Sequence, residues 1–354
     1  MRAHNSWRTV IIKGILGTVV FALANVITYE SSSYFQRAHD YRLVVSNFFT
    51  RPHAKAIFVG DSHVAQLDND YLDVDAYNVG FGGDSLREVY AKLRYLLSQP
   101  NELDTLFLTA DAHMFGTGRL QSSNGAFADQ YLLRTGSPYG FGHGRLATAF
   151  NLVPLFNDDF VQYLKVRLSQ TVKRTRSDTS DEDETRWQRL PQAERARLAR
   201  EGGEMDHAGI ALHPEPFEWY ARIVALARAH GLRVIAIRYP ATAEYLESVT
   251  PAQAAAVDRA LAAASVSEVL DFRYAFSDVS YFKDPDHLSN KGIDALLRLI
   301  ETRTRRKLRN GDPLSDRNGG GILGRLHAHA RSSCVHLPLA RRRQVSCEHS
   351  QTLS

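Results

Sequence analysis

Hydrophobic positions along the chain fall into two alternating patterns. Short continuous apolar runs occur at Ala56-Ile57-Phe58-Val59, Leu106-Phe107-Leu108 and Val234-Ile235-Ala236-Ile237. Such runs predict strands buried on both faces. Further strands are predicted at Ala76–Val79 and Val269–Phe272. Between these runs the period changes to that of a helix. Leu86, Val89, Tyr90, Leu93 and Leu97 share one face behind the capping box Ser85-Leu86-Arg87-Glu88, and Pro100 lies just past the helix end. Phe217, Tyr220, Val224 and Ala227 mark a second amphipathic helix, stopped by Gly231, and Pro251–Ala264 is an alanine-rich third. Ile293, Leu296, Leu297 and Ile300 line a last one. Strands alternating with helices predict an α/β domain with a parallel five-stranded sheet covered on both faces.

The flanks read differently. Arg2, Arg8 and Lys13 precede a run, Gly14 to Ile27, that carries no charge. Thr9 to Tyr29 is 21 residues, roughly 31 Å as a helix and enough for a ~30 Å hydrocarbon core. Basic residues before the run put the N-terminus inside and the body across the membrane. A cleavable signal peptide is the rival reading, because Ala22-Leu23-Ala24 is an A-x-A site, and a buried helix of a soluble domain is a third. Residues 1–30 are therefore expected to be an anchor or signal, and 31–52 a connecting helix. The domain is expected over 53–308, with an insertion at about 116–213 between the third and fourth strands. Leu152–Leu168 reads as helical, and the acidic run around Ser177–Thr185 as part of a solvated, mobile segment, a cation or partner site being the alternative. Residues 309–354, rich in Gly, Ser and Arg without a hydrophobic period, read as a disordered basic tail.

Charge and cysteine sharpen this division. From Arg303 onward ten arginines and one lysine stand against three acids, a net of +8, so the rest of the chain carries −4 against a whole-chain +4. The basic pI thus belongs to the tail, and the body is not a nucleic-acid binder by charge. Both cysteines, Cys334 and Cys347, also lie in the tail, so the body has neither a disulfide nor a cysteine-based metal site.

Three loops carry candidate chemistry. Val59-Gly60-Asp61-Ser62-His63 follows the first strand directly, where open α/β sheets place ligands. A Ser there is a candidate nucleophile once a base takes its proton; on its own the stretch is more often an ordinary turn and N-cap. Asn78-Val79-Gly80-Phe81-Gly82-Gly83-Asp84 joins a strand to a helix, and its glycines let backbone N–H groups approach a ligand, as an oxyanion requires; plain loop flexibility is the alternative. Asp284-Pro285-Asp286-His287-Leu288-Ser289 precedes the last helix. Asp284, three residues before His287, can reach the imidazole and fix its tautomer; otherwise the segment is a turn with Ser289 or Asn290 as N-cap.

Taken together and in this order, the loops resemble those of the SGNH, or GDSL-type, hydrolase superfamily over residues 53–305 without the insertion. The resemblance implies a flavodoxin-like three-layer α/β/α sandwich of strand order 2-1-3-4-5. It also implies Ser62 as nucleophile, Asp284 and His287 as its partners, and the N–H groups of Ser62 and Gly83 as oxyanion donors, with no metal or organic cofactor. One block departs from the family. Where Gly-x-Asn-Asp is usual, this chain has Leu108-Thr109-Ala110-Asp111-Ala112-His113. An ionised Asp111 only accepts hydrogen bonds, so either a protonated Asp111 or His113 replaces the third oxyanion donor, or that donor is missing. Asp61 and His63 complete the candidate site. Gly-Asp-Ser-His, the Gly-Gly-Asp-Ser-Leu-Arg-Glu block and the anchor are similar to proteins near the alginate O-acetylation factors, with the D-alanyl transfer protein of teichoic acids a looser relative. That likeness implies an extracytoplasmic, periplasmic enzyme moving O-acetyl groups onto or off a polysaccharide, with a membrane-bound O-acyltransferase as partner. A free-standing carbohydrate esterase and a non-catalytic assembly protein are the alternatives.

Overall fold

A computed structural model describes residues 3–51, 53–121, 124–137 and 183–310. The expected helix at 152–168, most of the acidic run and the tail beyond Asn310 lie outside the described residues. Five strands, β1 (Ala56–Val59), β2 (Ala76–Asn78), β3 (Thr105–Thr109), β4 (Arg233–Arg238) and β5 (Glu268–Asp271), form one all-parallel sheet in the order β2-β1-β3-β4-β5. β1, β2 and β3 are buried at every position, as their unbroken apolar runs predict.

Alternate strand residues feed two cores. Ile57, Val59, Leu106, Leu108, Val234 and Ala236 pack with helices α2 (Ser33–Ser46), α4 (Leu86–Leu97), α5 (Gly125–Arg134), α8 (Glu215–Ala229) and α10 (Pro251–Ala264). Ala56, Phe58, Phe107, Ile235 and Ile237 pack with the short α3 (Ser62–Ala65), α6 (Asp183–Arg189), α7 (Gln192–Asp206), α9 (Ala243–Leu246) and α11 (Asn290–Thr304). Phe58 and Phe107, on neighbouring strands of this second face, stack with centroids 4.4 Å apart. The result is the expected α/β sheet covered on both faces.

The N-terminal helix α1 (Ala3–Ser31) contains an apolar span, Thr9–Thr28, of mean hydropathy 2.2, long enough to cross a bilayer and with none of it buried inside the protein. Ser32 caps the next helix, accepting from Tyr34 N–H.

Three expectations change. The segment after α1 is no mere connector: Tyr34, Tyr41, Val45 and Phe48 recur at helical spacing and are buried in the first core, so the domain begins within α2. The described ends of the insertion are built into the body rather than solvated. Phe127 of α5 packs at 5.0 Å from Tyr34 and 5.7 Å from Tyr41, and Trp187 and Ala199 join Tyr245 in the second core. Finally, Arg309 pairs with Glu301 and Asp294, and Asn310 N–H donates to Tyr71 carbonyl. The domain therefore runs past residue 308.

Candidate active site

The three chemistry-bearing loops, which follow β1, β2 and β5 in the chain, come together around the turn at Ser62. Ser62 opens α3, and Asp61 caps it, accepting from His63 N–H at 3.2 Å. This turn sits tightly under the glycine loop. A Cβ on Gly80 would stand 2.6 Å from a Val64 methyl and 2.9 Å from Ala65 nitrogen, so only glycine allows the approach. Asn78 fastens the two loops, donating to the carbonyls of Val64 and Leu67 at 2.7 Å and accepting from Gly80 N–H. Gly82 lies against the serine: a Cβ there would be 3.8 Å from Ser62 Cβ. Gly83 has φ +82°, the left-handed region that glycine tolerates.

The Gly82 carbonyl is held from two distant segments. Arg37 of α2 donates to it, and so does Asn124 Nδ2 at 3.0 Å. In a planar trans peptide the carbonyl and the following N–H point in opposite directions. Holding the Gly82 carbonyl therefore fixes the direction of the Gly83 N–H. Beneath, Asp84 is fully buried; its Oδ1 accepts from Asn124 and its Oδ2 lies 2.5 Å from Lys92 Nζ, which also donates to the Val79 carbonyl. Burial pushes the Asp84 carboxyl up to about 6, against the pull of Lys92.

Asp284 and His287 come together as their spacing predicts. Both Asp284 oxygens lie 3.0 Å from His287 Nδ1, and Oδ1 accepts the His287 backbone N–H at 2.8 Å. Gln66, four residues after Ser62, ties this loop to α3, donating to the His63 carbonyl and accepting from Leu288 N–H, both at 2.8 Å. Ser289 is the cap of α11. Asp286 also faces the ring, 3.3 Å from Nδ1. Burial opposes the charged form of His287, but the two carboxylates outweigh it and raise the imidazole to about 9.

The chain matches no protein-family model and no curated protein.

His63 turns away from solvent, Nδ1 at 2.8 Å from Asp111 and Nε2 at 3.1 Å from Asp286. Burial lowers its proton affinity, yet Asp111 and Asp286 hold it well above the ordinary range. Asp111 is an acceptor throughout, taking Tyr239 N–H at 2.7 Å and Thr109 hydroxyl at 3.2 Å besides His63. His113 points its Nε2 at Asp61 Oδ2, 2.7 Å away, where Arg119 also donates at 2.7 Å. Burial disfavours the Asp61 carboxylate, but His113 and Arg119 hold it well below its usual range. The expected substitute donors are thus engaged elsewhere: Asp111 has its acceptors filled, and the His113 Nε2 is used on Asp61.

Among the described residues, Asp61, His63 and His113, and again His63, Asp286 and His287, bring metal-ligand atoms within 4.8 Å of one another. In both sets those atoms are engaged by one another or by Asp111, Asp284 and Arg119. Sequence reasoning did not single out Arg37, Gln66, Lys92, Arg119 and Asn124. Lys92 alone left a local signal: it lies on the face of α4 turned toward the apolar stripe.

Proposed function

We propose that the chain is a membrane-anchored serine acyl-ester enzyme of SGNH type, with a flavodoxin-like domain on the extracytoplasmic, periplasmic side. The basic residues Arg2, Arg8 and Lys13, which precede the uncharged run from Gly14 to Ile27, support that orientation. The observation that carries the reading is the Asp284–His287 pair, two oxygens at 3.0 Å from Nδ1, on a loop tied through Gln66 to the turn that begins with Ser62. With Nδ1 occupied, Nε2 is the ring's free nitrogen for proton transfer.

His287 Nε2 takes the Ser62 hydroxyl proton as Oγ bonds to the acyl carbonyl carbon. The tetrahedral oxyanion is held by the N–H groups of Ser62 and Gly83. Its collapse expels the alcohol, which receives the proton from His287, and leaves acyl-Ser62. A sugar hydroxyl or water then attacks by the same route in reverse. Asp111 as a committed acceptor leaves the hole one donor short of the superfamily pattern, which costs roughly 10²–10³ in rate on small esters. This favours transfer of O-acetyl groups to a polysaccharide, assisted by a membrane-bound O-acyltransferase, over free ester hydrolysis.

The test incubates full-length protein in detergent with an activated acetyl ester and reads intact mass. One acetyl on Ser62, absent in Ser62→Ala and His287→Ala, is expected. Decay of that adduct with added glycan, compared with buffer, separates transfer from hydrolysis. A folded wild-type chain that takes no acetyl sinks the catalytic reading and leaves an assembly role.

A further inference from the structure

His63 is a buried titratable side chain that the Ser62–His287 chemistry does not use. Each of its nitrogens faces a carboxylate: Nδ1 meets Asp111 at 2.8 Å and Nε2 meets Asp286 at 3.1 Å. A neutral imidazole donates from one nitrogen only, and only the imidazolium serves both acceptors. Asp286 is equally divided, giving Oδ2 to His63 and Oδ1 to His287 Nδ1 at 3.3 Å. The rings of His63 and His287 stand perpendicular, 5.2 Å apart. Asp111–His63–Asp286–His287–Asp284 is therefore one continuous array that alternates acid and base.

The remaining groups facing His63 come from every element around it. Asp61 lies on its own turn, and His113, its ring 4.5 Å away, follows β3. Tyr239, at 6.1 Å, follows β4, and His207 lies just beyond α7. Asp111 itself is fixed by Tyr239 N–H and the Thr109 hydroxyl, so the far end of the array cannot swing.

We propose that His63 is a positioning residue: pinned by Asp111, its imidazolium clamps Asp286, and Asp286 in turn holds His287 in the orientation that presents Nε2 to Ser62. The proposal rests on the reading of Ser62 and His287 as nucleophile and base. It gives opposite signs to two substitutions. Asp286→Asn removes a negative charge beside His287 and lowers its proton affinity. His63→Gln keeps a donor toward Asp286 but removes a positive charge, so Asp286 acts on His287 unopposed and its proton affinity rises.

The experiment is a pH titration, from 5 to 10, of ¹⁵N-histidine-labelled full-length chain in detergent micelles, followed by NMR. In the wild type, His63 is expected to be protonated at both nitrogens at pH 7, as its two carboxylate partners require. The His287 titration is expected to move down by about one unit in Asp286→Asn, tenfold in proton affinity, and upward in His63→Gln. Acylation of Ser62 should lose kcat with KM little changed in His63→Ala, and His63→Gln should recover part of it. A neutral His63 at pH 7 in the wild type overturns the proposal and needs no variant. So does an unshifted His287 in both substituted chains, once thermal melts show them folded. The titration requires no turnover. Expected shifts with no acetyl on Ser62 would support the charged array and refute the nucleophile, so the two failures are distinguishable.

Discussion

Lys92 is the most informative residue to remove. Its ammonium is buried, 2.5 Å from fully buried Asp84, and it also donates to the carbonyl of Val79, the residue before the glycine loop. Lys92→Met keeps the stem's volume and deletes the charge. Removing one member of a buried pair costs about 3–5 kcal/mol, because the other charge is left unmatched. For a domain of this size that lowers Tm by roughly 10 °C. The pH dependence makes the test specific. Burial raises the Asp84 carboxyl to about 6 even with Lys92 present, so the folded state prefers the protonated acid. Stability from this group is present at low pH and falls as pH rises from the unfolded value of about 4. Without Lys92 the carboxyl rises further, so the fall continues to higher pH. The Tm difference between wild type and Lys92→Met should therefore be small at pH 4.5 and large at pH 7.5, and Asp84→Asn combined with Lys92→Met should recover most of it. Thermal melts of the three chains at the two pH values decide this. A difference equal at both pH values, or under about 1 kcal/mol at pH 7.5, would refute the assignment of a matched buried pair.

Two further outcomes follow from the site. With His287 raised to about 9, only about 1% of the imidazole is neutral at pH 7. Acylation of Ser62, corrected for the Ser62→Ala background, should then rise about tenfold per pH unit from 7 to near 9; a plateau beginning at pH 7 would contradict the electrostatics of the Asp284–Asp286 pair. Asn124→Ala removes one of two donors to the Gly82 carbonyl and the one to Asp84 Oδ1; kcat for acylation should fall tenfold or more with little change in KM, and unchanged kcat would show that the loop holds its orientation without Asn124.

What the sequence disclosed and what it withheld follow one physical line. Strands buried on both faces are unbroken apolar runs, so β1, β3 and β4 were placed within a residue or two, and the parallel arrangement followed from the intervening helices. The Asp284–His287 contact was legible because both partners sit in one turn. The role of α2 was missed although Tyr34, Tyr41 and Val45 carry a helical period, because the neighbouring apolar span drew the segment toward the membrane. Arg37, Arg119 and Asn124 had no local signal at all. Arg119 meets Asp61 across 58 positions and Arg37 meets Asn124 across 87, and a polar residue's partner at such separations leaves no periodicity to read. The chemistry of Asp111 was inferred from its place in a motif, whereas its actual role is set by His63, Thr109 and Tyr239.

Those distant partners share a pattern that separates stability from function. Around the carboxyl ends of the strands, Asp61 is matched by His113 and Arg119, Asp84 by Lys92, Asp111 by His63, and Asp286 by His63 and His287. A buried ion pair gains little over a well-packed apolar pair, since desolvation of both charges offsets their attraction. Four matched carboxylates in one layer are therefore an expensive way to build a core; at the opposite ends of the same strands the charge pairs Arg233–Glu268 and Arg306–Asp104 lie nearer the surface, where desolvation costs less. The value of the four matched carboxylates lies in direction. Each pair fixes one polar atom that apolar contacts would leave free to rotate: the Asp61 cap at Ser62, the loop leading to Gly82 and Gly83, and the ring of His287. Hydrophobic burial holds the sheet together, and the charge pairs set where its reactive edge points.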